Sequence, residues 1–256
     1  MEDGKIEQEI QNIFGNKGKE AFLLWEKERS AEPDQLAVDM STLAQYIDHT
    51  LLQPDAQKAA IEQLCYEAEK FQFASACVNP IWAKEAKKHL PTVPLCCVVG
   101  FPLGASTPES KLKETKEVLE AGANEVDMVI NIGALKDSDL GKVQKEISLL
   151  GKECHKFGAK LKVIIETCLL SQEEKVVACL LAKKEGADFV KTSTGFSTAG
   201  ARKQDVALMR KVVGNKMGVK ASGGIRDRAT ALAMLKAGAN RLGTSAGVAI
   251  CRGENL

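Results

Sequence analysis

From Ser41 onward the chain alternates apolar, β-prone runs with segments whose apolar residues recur at helical spacing. The runs fall at residues 46–51, 73–78, 95–101, 125–131, 161–167, 188–194, 218–222 and 241–245. Their starts lie roughly 20 to 35 residues apart, the length of a parallel strand plus a return helix. Between them the pattern predicts helices over 56–70, 109–120, 140–156, 172–184, 204–213 and 227–236. Ser171, with Glu174 three residues on, reads as a capping box before one of these. Eight strand–helix units predict an α/β fold of the (β/α)8 TIM-barrel type. A doubly wound sheet would more often carry an early G-x-G-x-x-G, and none occurs.

An internal echo points the same way. Gly122-Ala123-Asn124, Gly186-Ala187-Asp188 and Gly238-Ala239-Asn240 each end a helix and open a strand. Five residues after each glycine stand Asp127, Lys191 and Gly243, so equal offsets predict similar heights in their strands. Residues 1–40 break the alternation. Ile6, Ile10, Ile13 and Phe14, then Ala21, Leu24 and Trp25, predict two short amphipathic helices before Glu32-Pro33-Asp34. The expected organisation is an N-terminal helical extension (1–40) and a barrel (41–256).

Composition narrows the function classes. The 256 residues are 45% hydrophobic and 27% charged, with a net charge of +1. Such a balance makes no case for a nucleic-acid or membrane partner. No apolar run reaches the roughly 20 residues that span a bilayer, and the polar N-terminus does not read as a signal peptide. A cytoplasmic protein is expected. The eight cysteines contain no C-x-x-C. Cys96 and Cys97, adjacent in one strand, should face opposite ways, and Cys77, Cys168 and Cys179 read as small buried hydrophobes. His49, His89 and His155 lack zinc-site spacing, so no metal is expected.

The candidate chemistry lies in charged residues set in apolar strands, since barrel sites form at the C-terminal strand ends. These are Asp48, Asp127, Lys162, Glu166 with Thr167, Lys191 and Lys220. One reading is structural: the set pairs with itself. The other is a charged cavity with one lysine kept neutral for chemistry. With a reference pKa near 10.4, only roughly one lysine in 2500 is a free amine at pH 7. Bringing that pKa to about 7 takes about 4 to 5 kcal/mol, which desolvation and a second cation supply in Schiff-base lysines. Lys191 and Lys220, on neighbouring strands, suit that arrangement, with Asp127 holding Lys220 charged. Gly-rich turns at Ser222-Gly223-Gly224 and Gly243-Thr244-Ser245, after strands seven and eight, suit a phosphate. Gly195-Phe196-Ser197 could close a third side.

Eight motifs in order carry a family resemblance. They include Ile47-Asp48-His49-Thr50, Cys77-Val78-Asn79-Pro80, Gly100-Phe101-Pro102-Leu103-Gly104 and Glu125-Val126-Asp127-Met128. Lys162-Val163-Ile164-Ile165-Glu166-Thr167, Lys191-Thr192-Ser193-Thr194-Gly195-Phe196, Lys220-Ala221-Ser222-Gly223-Gly224 and Gly243-Thr244-Ser245 complete the set. Over residues 43–250 the chain resembles the deoxyribose-phosphate aldolases, class I enzymes of the (β/α)8 type. The resemblance implies that Lys191 forms the Schiff base and that Asp127 and Lys220 exchange protons. It implies that Thr194, Gly195, Gly223, Gly224, Gly243, Thr244 and Ser245 border the phosphorylated substrate. Asp48 would bind its hydroxyl side, and Lys162 would line the cavity without being the nucleophile. It further implies a sugar-phosphate substrate, no cofactor and a homodimer or larger assembly. The rivals are an aldolase or transaldolase-like enzyme with a ketone donor, a phosphate-binding barrel isomerase or lyase, and a non-catalytic sugar-phosphate-binding barrel.

Overall fold

The computed structural model describes residues 40–253, together with the isolated positions Gln8 and Gln11. The two helices expected from Ile6 to Trp25 lie outside the described residues, as do the last three positions. After a 3-10 segment (Met40–Tyr46), eight parallel strands close in sequence order into a barrel. Strands and helices follow as β1 (Ile47–Leu51), α1 (Lys58–Phe71), β2 (Ser75–Val78), α2 (Ala83–Lys88), β3 (Leu95–Val99) and α3 (Pro108–Glu120). Then come β4 (Glu125–Val129), α4 (Ile132–Lys136), α5 (Leu140–Lys156), β5 (Lys160–Ile164), α6 (Gln172–Lys184) and β6 (Phe189–Lys191). The chain closes with α7 (Lys203–Val213), β7 (Gly218–Ser222), α8 (Arg228–Lys236), β8 (Arg241–Thr244) and α9 (Gly247–Arg252). Among the described residues no helix is long and apolar enough to cross a membrane.

Local chemistry explains the repeated helix-to-strand joint. Gly122, Gly158, Gly186 and Gly238 have φ between +69° and +110°, which a side chain would resist. The next residue, an alanine each time, donates its N–H 2.9–3.1 Å to a carbonyl five positions back, satisfying an end group of the helix. The third residue of the echo then reaches sideways. Asn124 Oδ1 accepts from Leu95 N–H (3.0 Å), Asp188 Oδ2 from Leu161 N–H (2.8 Å) and Asn240 Oδ1 from Val219 N–H (2.8 Å). Each therefore ties the start of the preceding strand. The capping box at Ser171 and Glu174 forms in both directions.

Alternation along the strands divides the interior into two environments. Outward residues such as Ile47, Leu95, Val126, Leu161, Val190, Val219 and Leu242 join one apolar core with the buried faces of the helices. Cys97 belongs to it, whereas Cys96 faces inward with Cys77, Val98 and Leu52. Cys179 is buried in the outer core; Cys168 is only half-buried, with its Sγ 3.3 Å from Ser197 Oγ, because it sits in the turn after β5.

Candidate active site

Strand register stacks the inward residues in layers of four. The pairing runs Asp127 to Lys162 to Phe189, and Lys191 to Lys220 to Arg241, so the register advances two residues for every two strands. That advance matches the shear of a TIM barrel. The lowest layer is Ser75, Glu125, Phe189 and Arg241, followed by Asp48, Cys96, Lys162 and Lys220. Above lie Cys77, Asp127, Lys191 and Gly243, which places the three equal-offset residues in one layer. Thr50, Val98, Ile164 and Ser222 then lead to the mouth. Where such barrels commonly hold branched apolar side chains, this one holds charge.

The charges form one network. Asp127 Oδ2 lies 2.8 Å from Lys191 Nζ and 2.7 Å from Lys220 Nζ, while Oδ1 takes Lys162 Nζ at 2.7 Å and the Cys96 thiol at 3.1 Å. Lys162 also meets Glu125 at 2.6 Å, and Lys220 pairs with Asp48. Arg241 closes the base on Asp48 (2.7 Å) and Glu125 (2.9 Å), its guanidinium 5.2 Å from the Phe189 ring centre. Burial pushes the carboxyl of Asp127 up, but Lys162, Lys191 and Lys220 together outweigh it and hold it well below the ordinary range. Asp48 is likewise held low against burial by Lys220, Arg241 and Lys162. Conversely, burial alone would lower Lys162 and Lys220, and Asp127 leads the carboxylates that hold both above the usual lysine value.

A cavity of about 230 Å³ opens above this network at the C-terminal ends of β6, β7, β8 and β1. Lys191 is the member of the network that lines it, beside Thr194, Gly195, Phe196, Gly223, Gly224, Gly243, Thr244 and Ser245. Gly223 has φ +84°, and a Cβ there would lie 2.9 Å from the Gly200 Cα, so the turns after β6 and β7 touch glycine against glycine. The β6 turn is pinned from beneath. Glu166, itself left-handed at φ 55°, accepts the Thr194 hydroxyl (2.5 Å) and the Thr194 N–H (3.2 Å). Arg226 adds a guanidinium at the rim, and Phe196 meets Phe101 edge-on at 5.4 Å.

Two expectations need correction. Asp48 and Lys162 do not face the cavity; both are completely buried a layer below Lys191, under its floor. The barrel tilt sets that level, and the tilt is invisible within a single strand. Asp127 and Lys220 are also fully buried and reach the cavity through their contacts with Lys191 and with each other. Sequence reasoning missed Glu125 and Arg241, which stand two residues before Asp127 and Gly243 and so share their inward face. It also missed Arg226. Cys77, Cys96 and Asp127 bring potential ligand atoms within 4.8 Å of one another, but three ammonium groups already occupy the Asp127 carboxylate, which disfavours a cation there.

Comparison with known proteins gives the family of the chain. The family model described as DeoC/LacD family aldolase matches residues 42–253. A deoxyribose-phosphate aldolase of Brevibacillus brevis is 57% identical over 210 residues, covering 81% of this chain and 94% of the relative. Among solved structures, a putative deoxyribose-phosphate aldolase from Coccidioides immitis superposes with a TM-score of 0.82 at 37% identity, over 91% of this chain and 96% of that one. The tetrameric deoxyribose phosphate aldolase of Aeropyrum pernix gives 0.78 at 37% identity, over 86% and 93%.

Proposed function

Because the chain belongs to the DeoC/LacD family of aldolases, we propose that Lys191 is the imine-forming residue in the reversible cleavage of 2-deoxy-D-ribose 5-phosphate to D-glyceraldehyde 3-phosphate and acetaldehyde. The observation that carries this reading is the position of Lys191, at the floor of the cavity on a carboxylate oxygen it shares with Lys220. Four cations (Lys162, Lys191, Lys220, Arg241) face three carboxylates (Asp48, Glu125, Asp127) in the interior. Charge balances when one amine is free, and Lys191 is the one with a single carboxylate contact and an opening to the cavity.

The free amine adds to the C1 aldehyde, and loss of water gives an iminium that serves as the electron sink. Asp127, coupled to Lys220, takes the C3 hydroxyl proton through a water, and the C2–C3 bond breaks to release glyceraldehyde 3-phosphate. The remaining enamine needs one proton at C2. Asp127, a weak base because Lys162 and Lys220 surround it, gives back the proton it received, and hydrolysis then frees acetaldehyde. Lys220 keeps that carboxylate in place and supplies the second charge. The phosphate rests on the turns at Gly195, Gly223, Gly224 and Ser245 near Arg226, and its binding orients the chain for reaction. Asp48 and Lys162 support this centre from below. Use in deoxyribose phosphate breakdown, a cytoplasmic location and a homo-oligomeric state belong to the same reading; the Aeropyrum relative, a tetramer, supports the last.

Borohydride reduction in the presence of acetaldehyde or substrate, followed by peptide mapping, tests it. The expected result is a single adduct on Lys191, lost in a folded Lys191→Leu variant. An adduct on Lys162 or Lys220 instead would reassign the nucleophile.

A further inference from the structure

Ser222, the last residue of β7, stands two positions beyond Lys220 and so faces inward, one layer nearer the mouth than Lys191. Its backbone is fixed from both sides. The Ser222 N–H donates to Thr192 Oγ1 at 3.1 Å, and its carbonyl accepts the Thr192 hydroxyl at 3.2 Å and the Ala201 N–H at 3.0 Å. The side chain contrasts with this. Ser222 is 5% exposed, lines the same cavity as Lys191, and its Oγ has no hydrogen-bond partner among the described residues. On the neighbouring β8 its Cα partner is Gly243, where any Cβ would run into the Ser222 hydroxyl. A side chain at 243 would thus occupy the space toward which Oγ points.

A buried hydroxyl left unpaired costs about 1–3 kcal/mol. Here it sits between the imine position and the turn at Gly223 and Gly224, the two points that the proposed substrate must span. Of the substrate hydroxyls, that on C3 gives its proton to the base below and becomes a carbonyl. The C4 hydroxyl, one bond nearer the phosphate, takes no part in bond breaking. Resting on the functional reading above, we propose that Ser222 Oγ binds the C4 hydroxyl and makes the enzyme prefer acceptor aldehydes that carry a hydroxyl beside the carbonyl.

The test runs the reaction in the synthetic direction, adding acetaldehyde to D-glyceraldehyde 3-phosphate or to 3-oxopropyl phosphate, the same acceptor without its C2 hydroxyl. The wild type should favour glyceraldehyde 3-phosphate in kcat/KM, and Ser222→Ala should lower that value about tenfold while leaving 3-oxopropyl phosphate within about twofold. The thermal midpoint of the variant should be unchanged or higher, because no hydrogen bond within the protein is lost. An equal fall with both acceptors, an unchanged preference, or a lowered midpoint would each overturn the assignment. Failure of the wild type to use either acceptor would instead remove the functional reading beneath it.

Discussion

In the barrel interior Asp48 and Asp127 are completely buried and still lie well below the ordinary carboxylate range; between the helices Glu146 is buried as deeply, 2.7 Å from Lys111, and lies above it. Burial pushes all three up. The difference is the number of cations each carboxylate meets. Asp127 touches three ammonium groups, whereas Glu146 has Lys111 and the Asn131 N–H, and for it burial outweighs the single pair. The helix-layer pair is closed, since Lys111 also donates a hydrogen bond to the Val129 carbonyl at 2.8 Å and neither residue lines the cavity above Lys191. It fastens α3 and α5 to the end of β4, just beyond Asp127. The interior network has one cation more than it has carboxylates, and that surplus faces an opening. Buried charge by itself therefore does not mark chemistry; an unmatched amine at a cavity does.

The largest expected effect breaks the interior side of the contrast. Lys220→Met takes one of the three cations from Asp127, whose pKa should rise toward the ordinary range. Activity should fall about 10²- to 10⁴-fold, the usual scale for disabling a positioned proton-transfer group, here Asp127. The acid limb of the pH–rate profile should also move to higher pH. A full rate loss with an unmoved limb would mean that Lys220 does not act through Asp127.

On the helix side the reading is structural, so the expected effect is on stability. Lys111→Met strands Glu146 as a buried, uncompensated carboxylate and should cost about 3–5 kcal/mol in urea unfolding. Borohydride trapping at Lys191 should persist below the transition. The double variant Lys111→Met with Glu146→Leu should recover most of that loss, since apolar residues of similar volume replace a pair whose burial cost exceeds its attraction. Recovery absent from the double variant would show that the hydrogen bonds to Val129 and Asn131 matter more than the charge.

The same contrast shows what was legible in the sequence. The barrel, the helices over 140–156 and 172–184 and the strand over 218–222 agree with the structure, because long periodic segments and the Gly-Ala-Asn/Asp joints carry strong local signals. The run at 188–194 shrinks to Phe189–Lys191: Thr192 still bonds the Lys220 carbonyl and the Thr167 N–H, but Thr194 turns to the cavity and to Glu166 despite the β-prone composition. Helices of five or six residues at Ala83–Lys88, Ile132–Lys136 and Gly247–Arg252 are too short to show a period. Lys191, Asp127 and Lys220 stood out as charges in apolar strands. That Asp48 and Lys162 lie under the floor, and that Arg241 and Glu125 complete their neutralisation, depends on the register advance between strands, a property of the closed barrel.

The smallest expected effect separates the two environments by pH. Depressed carboxylates add stability above their unfolded values, lost only as pH falls through the folded ones; raised Lys220 adds stability below its unfolded value, lost as pH rises through its folded one. Between about pH 4 and about pH 10 Asp48, Asp127 and Lys220 therefore stay charged and contribute no slope. His49 is on the other face of β1, tilted against Phe73 at 4.9 Å, with Nε2 2.7 Å from Glu67 and Nδ1 without a hydrogen-bond partner among the described residues. Burial lowers its pKa, and Glu67 offsets this only in part. The unfolded chain then binds the proton more readily, so stability should decline as pH falls from about 6.5 through the lower folded value. Glu146, raised in the fold, works in the opposite sense on acidification. His49→Gln should remove the decline and leave the Glu146 contribution, seen as a flat or slightly rising urea midpoint between pH 7 and pH 5. A decline that survives the substitution would place the titrating group elsewhere than His49.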